Sequence, residues 1–321
     1  MTSADEVAST DFVTDLHRPP ADARPGGASA AARGAEAATQ VAEAAARMAG
    51  VQVRVIADLD DLEAVYRLYD RIWRPDPKNP PVTTELLRAL TKAGNYVSGA
   101  FDGAELVGAC VGFFSAPAGT AMHSHVAGVS PAALGRSIGF ALKQHQRAWA
   151  MQRCVGQIAW TFDPLVSRNA YFNLVKLGAV ASEYLPNFYG GMNDGINGTG
   201  DTDRLLVRWE LTAAEVVAAS TGKISPADAE TERRRGAVIA LARSDQGKPV
   251  AGKLAGETSL VAVPHDVEDL RRTDPGCAQQ WRIAVRDVLA TAMAAGSDIA
   301  GFDKTGWYVI RRHAAHREES R

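Results

Sequence analysis

Apolar residues along the chain recur with two different periods. Every second residue between 51 and 55 is a valine, which predicts a strand, and the apolar residues between 62 and 73 fall at helical spacing. Asp102-Gly103 joins two further strand-like runs as a hairpin turn. Up to residue 211 the pattern predicts the order β-α-α-β-β-β-α-β-α-β-β. Its front half is a meander and not a run of βαβ units.

The same pattern and the local composition divide the chain into four segments. Residues 1–50 are rich in alanine and contain few large apolar residues, so we expect a disordered tail that ends in a loose helix. Residues 51–211 form the main domain, and residues 212–235 are a helical, charged connector. Residues 236–313 show strand signals around a long helix at 276–295 and predict a smaller C-terminal α+β region. The fold class of the whole is α/β (α+β).

Charge and cysteine content exclude several classes of function. The net charge of -2 and the pI of about 6.4 leave no global basic field, so we expect neither nucleic acid nor a membrane as partner. Cys110, Cys154 and Cys277 are scattered, which argues against a disulfide framework and a structural zinc site. The N-terminal residues carry Asp5 and Glu6 and lack an apolar core. We therefore expect a cytoplasmic protein without signal peptide or membrane span.

The most informative stretch lies between residues 129 and 139. A strand ends at Val129, a Ser-Pro pair turns the chain, and a helix begins with glycines in its first turn. The first amides of a helix have no internal partner and, with the helix dipole, form an anion site. The Gly-Lys-Ser/Thr of a P-loop is absent, and the glycine spacing does not fit a dinucleotide fingerprint. An ordinary strand-to-helix turn with glycines for packing remains the alternative at this point.

Two motifs together resemble the GNAT acetyltransferase superfamily. Val129-Ser130-Pro131 followed by Leu134-Gly135-Arg136-Ser137-Ile138-Gly139 is similar to the family's pyrophosphate loop. Leu134 there replaces Gln or Arg, and Ser137 replaces the middle glycine. Residues 169–179 resemble the family's Asn-rich helix that ends in Lys-x-Gly. The signature WTFDP...SRN...KLGA...YLPNFYG, between 160 and 190, resembles one uncharacterised group of GNAT acetyltransferases.

The resemblance implies a GNAT fold, in which helices flank a mixed central sheet with splayed strands. Strand 123–130 would separate from strand 156–162 and admit the pantetheine arm of acetyl-CoA or of another acyl-CoA. Backbone groups of Gly128 and Val129 would pair with that arm, and Asn169 would hydrogen-bond to it or to the phosphate region. The pyrophosphate would lie on the amides of Leu134, Gly135, Arg136, Ser137, Ile138 and Gly139.

Acyl transfer to an amine needs a neutral nucleophile and a proton for the departing thiolate. His123 and His125 share a strand face by period two, just before the pantetheine stretch, where the superfamily often has a base. They could also line a polar rim.

Asp163, at the end of the neighbouring strand, could be a base, orient the amine or cap the next loop. Leu174 occupies the position of the family's tyrosine acid, so another tyrosine such as Tyr184, or water, could act instead.

The loop after residue 184 would cover the acceptor. Its candidates for binding a polar substrate are Asn187, Tyr189, Asn193 and Asp194, each of which could equally be a turn residue. The two histidines lack an evident third ligand, so we expect no metal.

These observations predict an acyl-CoA-dependent N-acyltransferase. The simplest form transfers acetyl from acetyl-CoA directly to a small amine, without a covalent enzyme intermediate. One alternative is a GNAT-fold acyl-CoA-binding protein without transferase activity, and another is a partner-binding protein whose C-terminal region carries the function. That region could form a homodimer, shape the acceptor pocket or be a degenerate second GNAT half.

Overall fold

The computed structural model describes residues 25–75, 80–117, 119–191 and 200–312, with side chains from residue 30 onwards. The elements up to residue 210 are, in chain order, α1 (Pro25–Met48), β1 (Gln52–Val55), α2 (Leu59–Trp73), α3 (Thr84–Lys92), β2 (Tyr96–Asp102), β3 (Glu105–Phe114), β4 (Ala121–Val129), α4 (Ile138–Met151), β5 (Gln157–Phe162), α5 (Ser167–Ala170), β6 (Val180–Leu185) and β7 (Arg204–Glu210). Helix α5 continues as a π-helical turn at Tyr171–Lys176. After α1, this is the predicted order of elements.

The seven strands form one mixed sheet in the order β1-β2-β3-β4-β5-β7-β6. Its neighbours are antiparallel except for β4 and β5, which are parallel. Helices α2 and α3 cover one face through Leu62, Val65 and Leu87, whereas α4 covers the other face against Tyr96 and Met122. Strand β2 is therefore buried on both faces, which explains why its sequence does not alternate strictly between apolar and polar residues. The expected α/β class and mixed central sheet are confirmed.

The alanine-rich segment before β1 differs from the loose helix that we expected. Helix α1 is 24 residues long and packs along α4, and Ala38, Ala42 and Ala148 form a small buried cluster between the two helices. Small side chains permit a close approach of two helices, so burial here requires no large apolar residue. The tail prediction was wrong for this part of the chain, and residues 1–24 lie outside the described residues.

A second sheet of five strands follows in the order β11-β12-β10-β8-β9. The elements after β7 are α6 (Ala214–Ser220), α7 (Ala229–Arg234), β8 (Val238–Arg243), β9 (Pro249–Ala251), β10 (Thr258–Ala262), α8 (Val267–Thr273), α9 (Pro275–Ala294), β11 (Ser297–Asp303) and β12 (Trp307–Arg312). Helix α9 lies between this sheet and β6, so that Trp281 and Val285 share one apolar core with Leu205 and Val207 of β7. The short β9 was not predicted. Within the described residues, no helix has the length and apolar character that a membrane span needs.

Enlarging a buried alanine of α1 tests the packing of this helix. Ala38 is 2% exposed against α4, whereas its neighbour Ala37 is exposed. We expect Ala38→Leu to lower the free energy of unfolding by about 1–3 kcal/mol, because the extra carbons must force the two helices apart. The matched variant Ala37→Leu should change it by less than about 0.5 kcal/mol. Urea unfolding of both variants measures the difference, and equal stabilities would contradict the packing of α1.

Candidate functional site

The parallel strands β4 and β5 pair over only three positions and then separate. The pairs are Ala121 with Gln157, Met122 with Ile158 and His123 with Ala159. Beyond them β4 stays bonded to β3 up to Val129, and β5 stays bonded to β7 up to Phe162. Each strand thus keeps one partner, and the two facing edges form a fork. Such an edge can receive an extended chain by backbone hydrogen bonds.

A β-bulge at His125 lies next to the point of the fork. Val111 of β3 pairs with Val126 and Gly112 pairs with Ser124, so His125 is the extra residue. A bulge bends its strand and increases the local twist, which turns β4 away from β5. The next residues are held by α2, because the Tyr69 hydroxyl donates to the Val126 carbonyl over 3.3 Å. A Cβ at Gly128 would lie 2.6 Å from the Trp73 ring, so only glycine permits this contact.

The fork opens toward the loop that begins α4. After β4 the chain makes one 3₁₀ turn at Pro131–Ala133, and residues 134–137 are exposed. Gly135 (φ 84°) and Ser137 (φ 63°) then place the chain in left-handed conformations before the helix. No acidic residue occurs in the first turn of α4. The first helical amides and the helix dipole can therefore attract an anion, with no opposing negative charge in that turn.

Part of the sequence matches a known protein family. Residues 34–172 match the model of the GNAT acetyltransferase domain. These residues include most of α1, the fork, the loop and α5. The match is limited to these residues and covers less than half of the chain. The superfamily resemblance is thereby confirmed, and the match begins inside α1, before the predicted boundary at residue 51. Among curated proteins no match is found.

Several solved acetyltransferases match part of this chain at low identity and with TM-scores below 0.5. A GNAT-family protein from Desulfovibrio desulfuricans is 16% identical over 50% of this chain and 99% of its own, with a TM-score of 0.43. The ribosomal-protein-S18-alanine N-acetyltransferase from Escherichia coli is 13% identical over 51% and 96%, with a TM-score of 0.41. A Salmonella typhimurium protein solved with its cofactor acetyl-CoA is 15% identical over 52% and 98%, with a TM-score of 0.40. These values assign no substrate.

Most of the residues predicted to contact acyl-CoA lie around the fork and the loop. Gly128 and Val129 lie on β4 where the strands are apart, and Gly139 leaves space, because a Cβ there would have its nearest neighbour at 3.9 Å. Asn169 lies half-buried in α5, after the end of β5. Leu134 is exposed at 68% and presents only its backbone to a phosphate.

The Arg136 side chain bonds to groups outside the loop. Its Nη1 donates to Asp102 over 2.7 Å, and its Nη2 donates to the carbonyls of Ala49 and Gly50 beyond the end of α1. The guanidinium therefore joins the end of α1 to the β2–β3 turn. It is committed to these partners, and only the backbone amide of Arg136 belongs to the anion site.

The two histidines share the face of the sheet opposite α4. Their ring centroids are 6.2 Å apart, and the Phe113 ring lies 5.2 Å from His123 and 6.0 Å from His125. Burial, with the nearby His125 and Lys143, lowers the pKa of His123 to about 4, so this imidazole is neutral at pH 7. His125 is exposed. Within the described residues, no group of three or more His, Cys, Asp or Glu side chains could hold a metal ion.

Asp163 is not placed to act as a base. Arg282 of α9 donates to both of its carboxylate oxygens at 2.8 and 2.7 Å, Arg271 of α8 donates to one of them, and the Leu165 amide donates over 2.9 Å. Burial alone would raise the pKa of Asp163, but the two arginines, with Arg204 nearby, hold it well below its usual range. The carboxylate instead joins the end of β5 to the C-terminal region. The sequence could not show this, because both arginines lie more than 100 residues away.

Tyr184 belongs to a second ionic cluster rather than to the fork. Its hydroxyl donates to Asp203 over 2.7 Å, and Arg286 of α9 donates to the same carboxylate. Burial, and then the charge and hydrogen bond of Asp203, raise the pKa of Tyr184. Tyr184 is therefore a poor proton donor. Leu174 packs against the core, so its position supplies no hydroxyl either.

The described part of the substrate loop forms the base of a hairpin. Asn187 accepts from the Thr202 amide over 3.1 Å, and its own amide donates to Asp203 over 2.9 Å. The side chain of Asn187 is thus used within the loop. Tyr189 differs, because its hydroxyl lies 3.2 Å from the Thr161 hydroxyl of β5, on the face that carries the histidines. Asn193 and Asp194 lie outside the described residues.

The sequence analysis did not identify Lys143, a buried cation at the fork. The Lys143 side chain on α4 is 3% exposed, and its Nζ bonds to Ser124 of β4 and lies over the Trp160 ring of β5. Polar residues on a helix usually mark its solvent side. Here α1 and the sheet cover both sides of α4, and no local signal in the sequence reveals this.

Removing the charge of Asp163 tests the junction with the C-terminal region. Asp163→Asn leaves Arg282 buried without its partner, so we expect a loss of about 3–5 kcal/mol in unfolding free energy at pH 7. The control Asp269→Asn removes an exposed ion pair with Arg272 and should cost less than about 1 kcal/mol. Urea unfolding measures both, and equal losses would contradict the role of Asp163.

The same variant has a predictable pH dependence. The pKa of Asp163 is lower in the folded than in the unfolded chain, so the stability it contributes is present above the unfolded pKa of about 4. It is lost as the pH falls toward the folded pKa. The difference in unfolding free energy between wild type and Asp163→Asn should therefore be constant from about pH 5 to about pH 7 and should decrease below about pH 4. A difference that stays constant at low pH would contradict the depressed pKa.

Proposed function

We propose that this chain is an acyl-CoA-dependent N-acyltransferase that transfers acetyl from acetyl-CoA directly to a small amine. The observation that carries the proposal is the open fork between β4 and β5, which leads to the exposed loop at the start of α4 within a GNAT domain. Acyl-CoA, when bound, supplies a thioester that is already activated for attack. The chain then has to hold and orient the reactants and move protons.

The binding of acyl-CoA divides between backbone and helix terminus. The backbone of Gly128 and Val129, on the open edge of β4, pairs with the pantetheine amides. The amides of residues 134–139 hold the pyrophosphate, and Asn169 of α5 hydrogen-bonds near the opposite edge. No arginine or lysine is assigned to the phosphate, because Arg136 already bonds to Asp102. The affinity should therefore depend more on backbone geometry than on side-chain charge.

The amine enters from the face that carries the histidines. His125 is exposed beside the fork and acts as the base, directly or through a water molecule. His123 is neutral at pH 7 and half-buried next to it, so it serves as a hydrogen-bond partner. Phe113 forms an apolar wall, and the hydroxyls of Thr161 and Tyr189 supply polar contacts on the same face.

A second candidate function is acyl-CoA binding without transfer. Leu174 favours it, because this side chain packs in the core where the family often carries a tyrosine acid. The two candidates are separated by turnover. Both require acyl-CoA affinity, but only the transferase forms an acylated amine when a set of small amines is supplied with acetyl-CoA.

A carboxylate at the start of α4 tests the phosphate position. We expect Gly139→Asp to weaken the binding of acetyl-CoA by at least about tenfold, because a like charge opposes the pyrophosphate. Gly139→Ala is the matched control, since a Cβ there meets nothing closer than 3.9 Å and should leave the affinity within about threefold. Isothermal titration calorimetry of both variants measures their affinities for acetyl-CoA. Equal weakening by both would show a steric effect, and no weakening by either would remove the phosphate from this loop.

Replacement of His125 tests the base. Once an amine acceptor is found, His125→Gln should lower kcat by about 100-fold or more, because a general base contributes roughly that factor. The Kd for acetyl-CoA should stay unchanged. His265→Gln, at an exposed position before α8, is the control and should retain full activity. A fully active His125→Gln would assign the proton transfer to His123 or to water.

A further inference from the structure

The point of the fork is lined on its α4 side by hydrogen-bond donors. Lys143 Nζ donates to Ser124 Oγ on β4 over 3.0 Å and to Gln146 Oε1 over 2.9 Å, and it lies 3.7 Å from the Trp160 ring centroid on β5. It thus spans the two strands one residue beyond their last pair, His123 with Ala159. Among the described residues no carboxylate pairs with this ammonium. A buried cation without a counter-charge is costly and requires an explanation.

The neutral side-chain amide of Gln146 lies beside the Lys143 ammonium. Gln146 is fully buried, and its Nε2 has no hydrogen-bond partner among the described residues. Gly112 of β3 faces this nitrogen, and a Cβ there would approach it to 3.0 Å. Such buried donors are rare in native proteins without a function or a ligand. Together the ammonium and the amide suit an atom that is electron-rich and becomes negatively charged.

Other groups around Lys143 do not neutralise it. Cys110 of β3 is buried, which raises the pKa of its thiol, and His123 of β4 is neutral at pH 7. Trp160 and Trp209 complete the surroundings with their rings, the second at 5.7 Å. Burial lowers the pKa of Lys143 to about 8, while Cys110 opposes this shift. The side chain is therefore mostly charged at pH 7 and releases its proton more readily than an exposed lysine.

On the basis of the proposed function, we propose that the Lys143 ammonium stabilises the departing thiolate of acyl-CoA by its charge and a hydrogen bond, with Gln146 as a second hydrogen-bond donor. A new C–N bond forms between the acyl carbon and the amine as the C–S bond breaks, and its electron pair goes to sulfur. The Lys143 ammonium keeps its proton and pairs with the thiolate, which takes a proton from solvent when CoA leaves. The proton lost by the amine leaves through His125. Nothing is oxidised or reduced.

This assignment accounts for the absence of a tyrosine at Leu174. Lys143 reaches the fork from α4, the helix whose first turn holds the phosphates, so one element fixes both ends of the pantetheine arm. An ammonium stabilises a thiolate by its charge as well as by a hydrogen bond, and the effect is strong where water is excluded.

The test measures the thiol of bound CoA and needs no acceptor. CoA bound to the full chain is titrated with pH, and its thiolate is followed by ultraviolet absorbance. The acetyl-CoA complex, which has no free CoA thiol, corrects for Cys110, Cys154 and Cys277. We expect the pKa of the bound thiol to fall by about one to three units relative to free CoA, because a cation lies within a few ångströms.

Three variants separate charge from structure. Lys143→Met should bind CoA and lose the whole shift, whereas Lys143→Arg keeps the cation and should retain most of it. Lys176→Met removes an exposed lysine next to α5 and should leave the shift unchanged. The wild-type titration alone remains decisive if Lys143→Met does not fold.

The outcomes distinguish this inference from the proposed function. If the wild-type chain binds CoA but its thiol titrates as in free CoA, or if Lys143→Met keeps the shift, the role of Lys143 is wrong and the acyltransferase proposal stands. If calorimetry shows that the wild-type chain does not bind CoA, the proposed function fails and the role of Lys143 fails with it. A shift that only Lys143→Met removes supports both.

Discussion

The separation of β4 from β5 is the constraint on which the rest of the structure depends. Two neighbouring parallel strands gain hydrogen bonds by continuing their ladder, so they stay apart only if each is held elsewhere. Here β3 holds β4, with a bulge at His125, and β7 holds β5 along its whole length. The Tyr69 hydroxyl and the Trp73 ring of α2 fix the far half of β4. The open edges that result are the place where an acyl-CoA would complete the sheet.

The C-terminal region stabilises the other side of this fork. Asp163 directly follows β5 and is bound by Arg271 and Arg282, while Asp203 directly precedes β7 and is bound by Arg286. All three arginines lie on α8 and α9. The end of β5 and the base of the loop that covers it are thus held by helices of the second sheet. This region shares one apolar core with the first sheet.

The fold was more predictable than the site, for a physical reason. Apolar periodicity and turn residues are local, so the order of elements from β1 to β7 followed from them. The packing of helix α1 did not follow from local patterns, because its alanines are buried by contact with α4, which lies about a hundred residues further along the chain. Asp163 and Tyr184 were plausible catalytic groups until their arginine and aspartate partners were known. Lys143 gave no signal, because its burial results from two elements that cover α4 on both sides.

Amide hydrogen exchange of the full chain, with and without saturating acetyl-CoA, tests the central claim most directly. If the fork receives the pantetheine arm, acetyl-CoA should slow exchange in residues 124–129 of β4 and in residues 134–140 at the start of α4. The amides of the second sheet should exchange at unchanged rates. Binding of acetyl-CoA that protects the second sheet and leaves 124–140 unchanged would contradict the account, because the ligand site would then lie outside the fork.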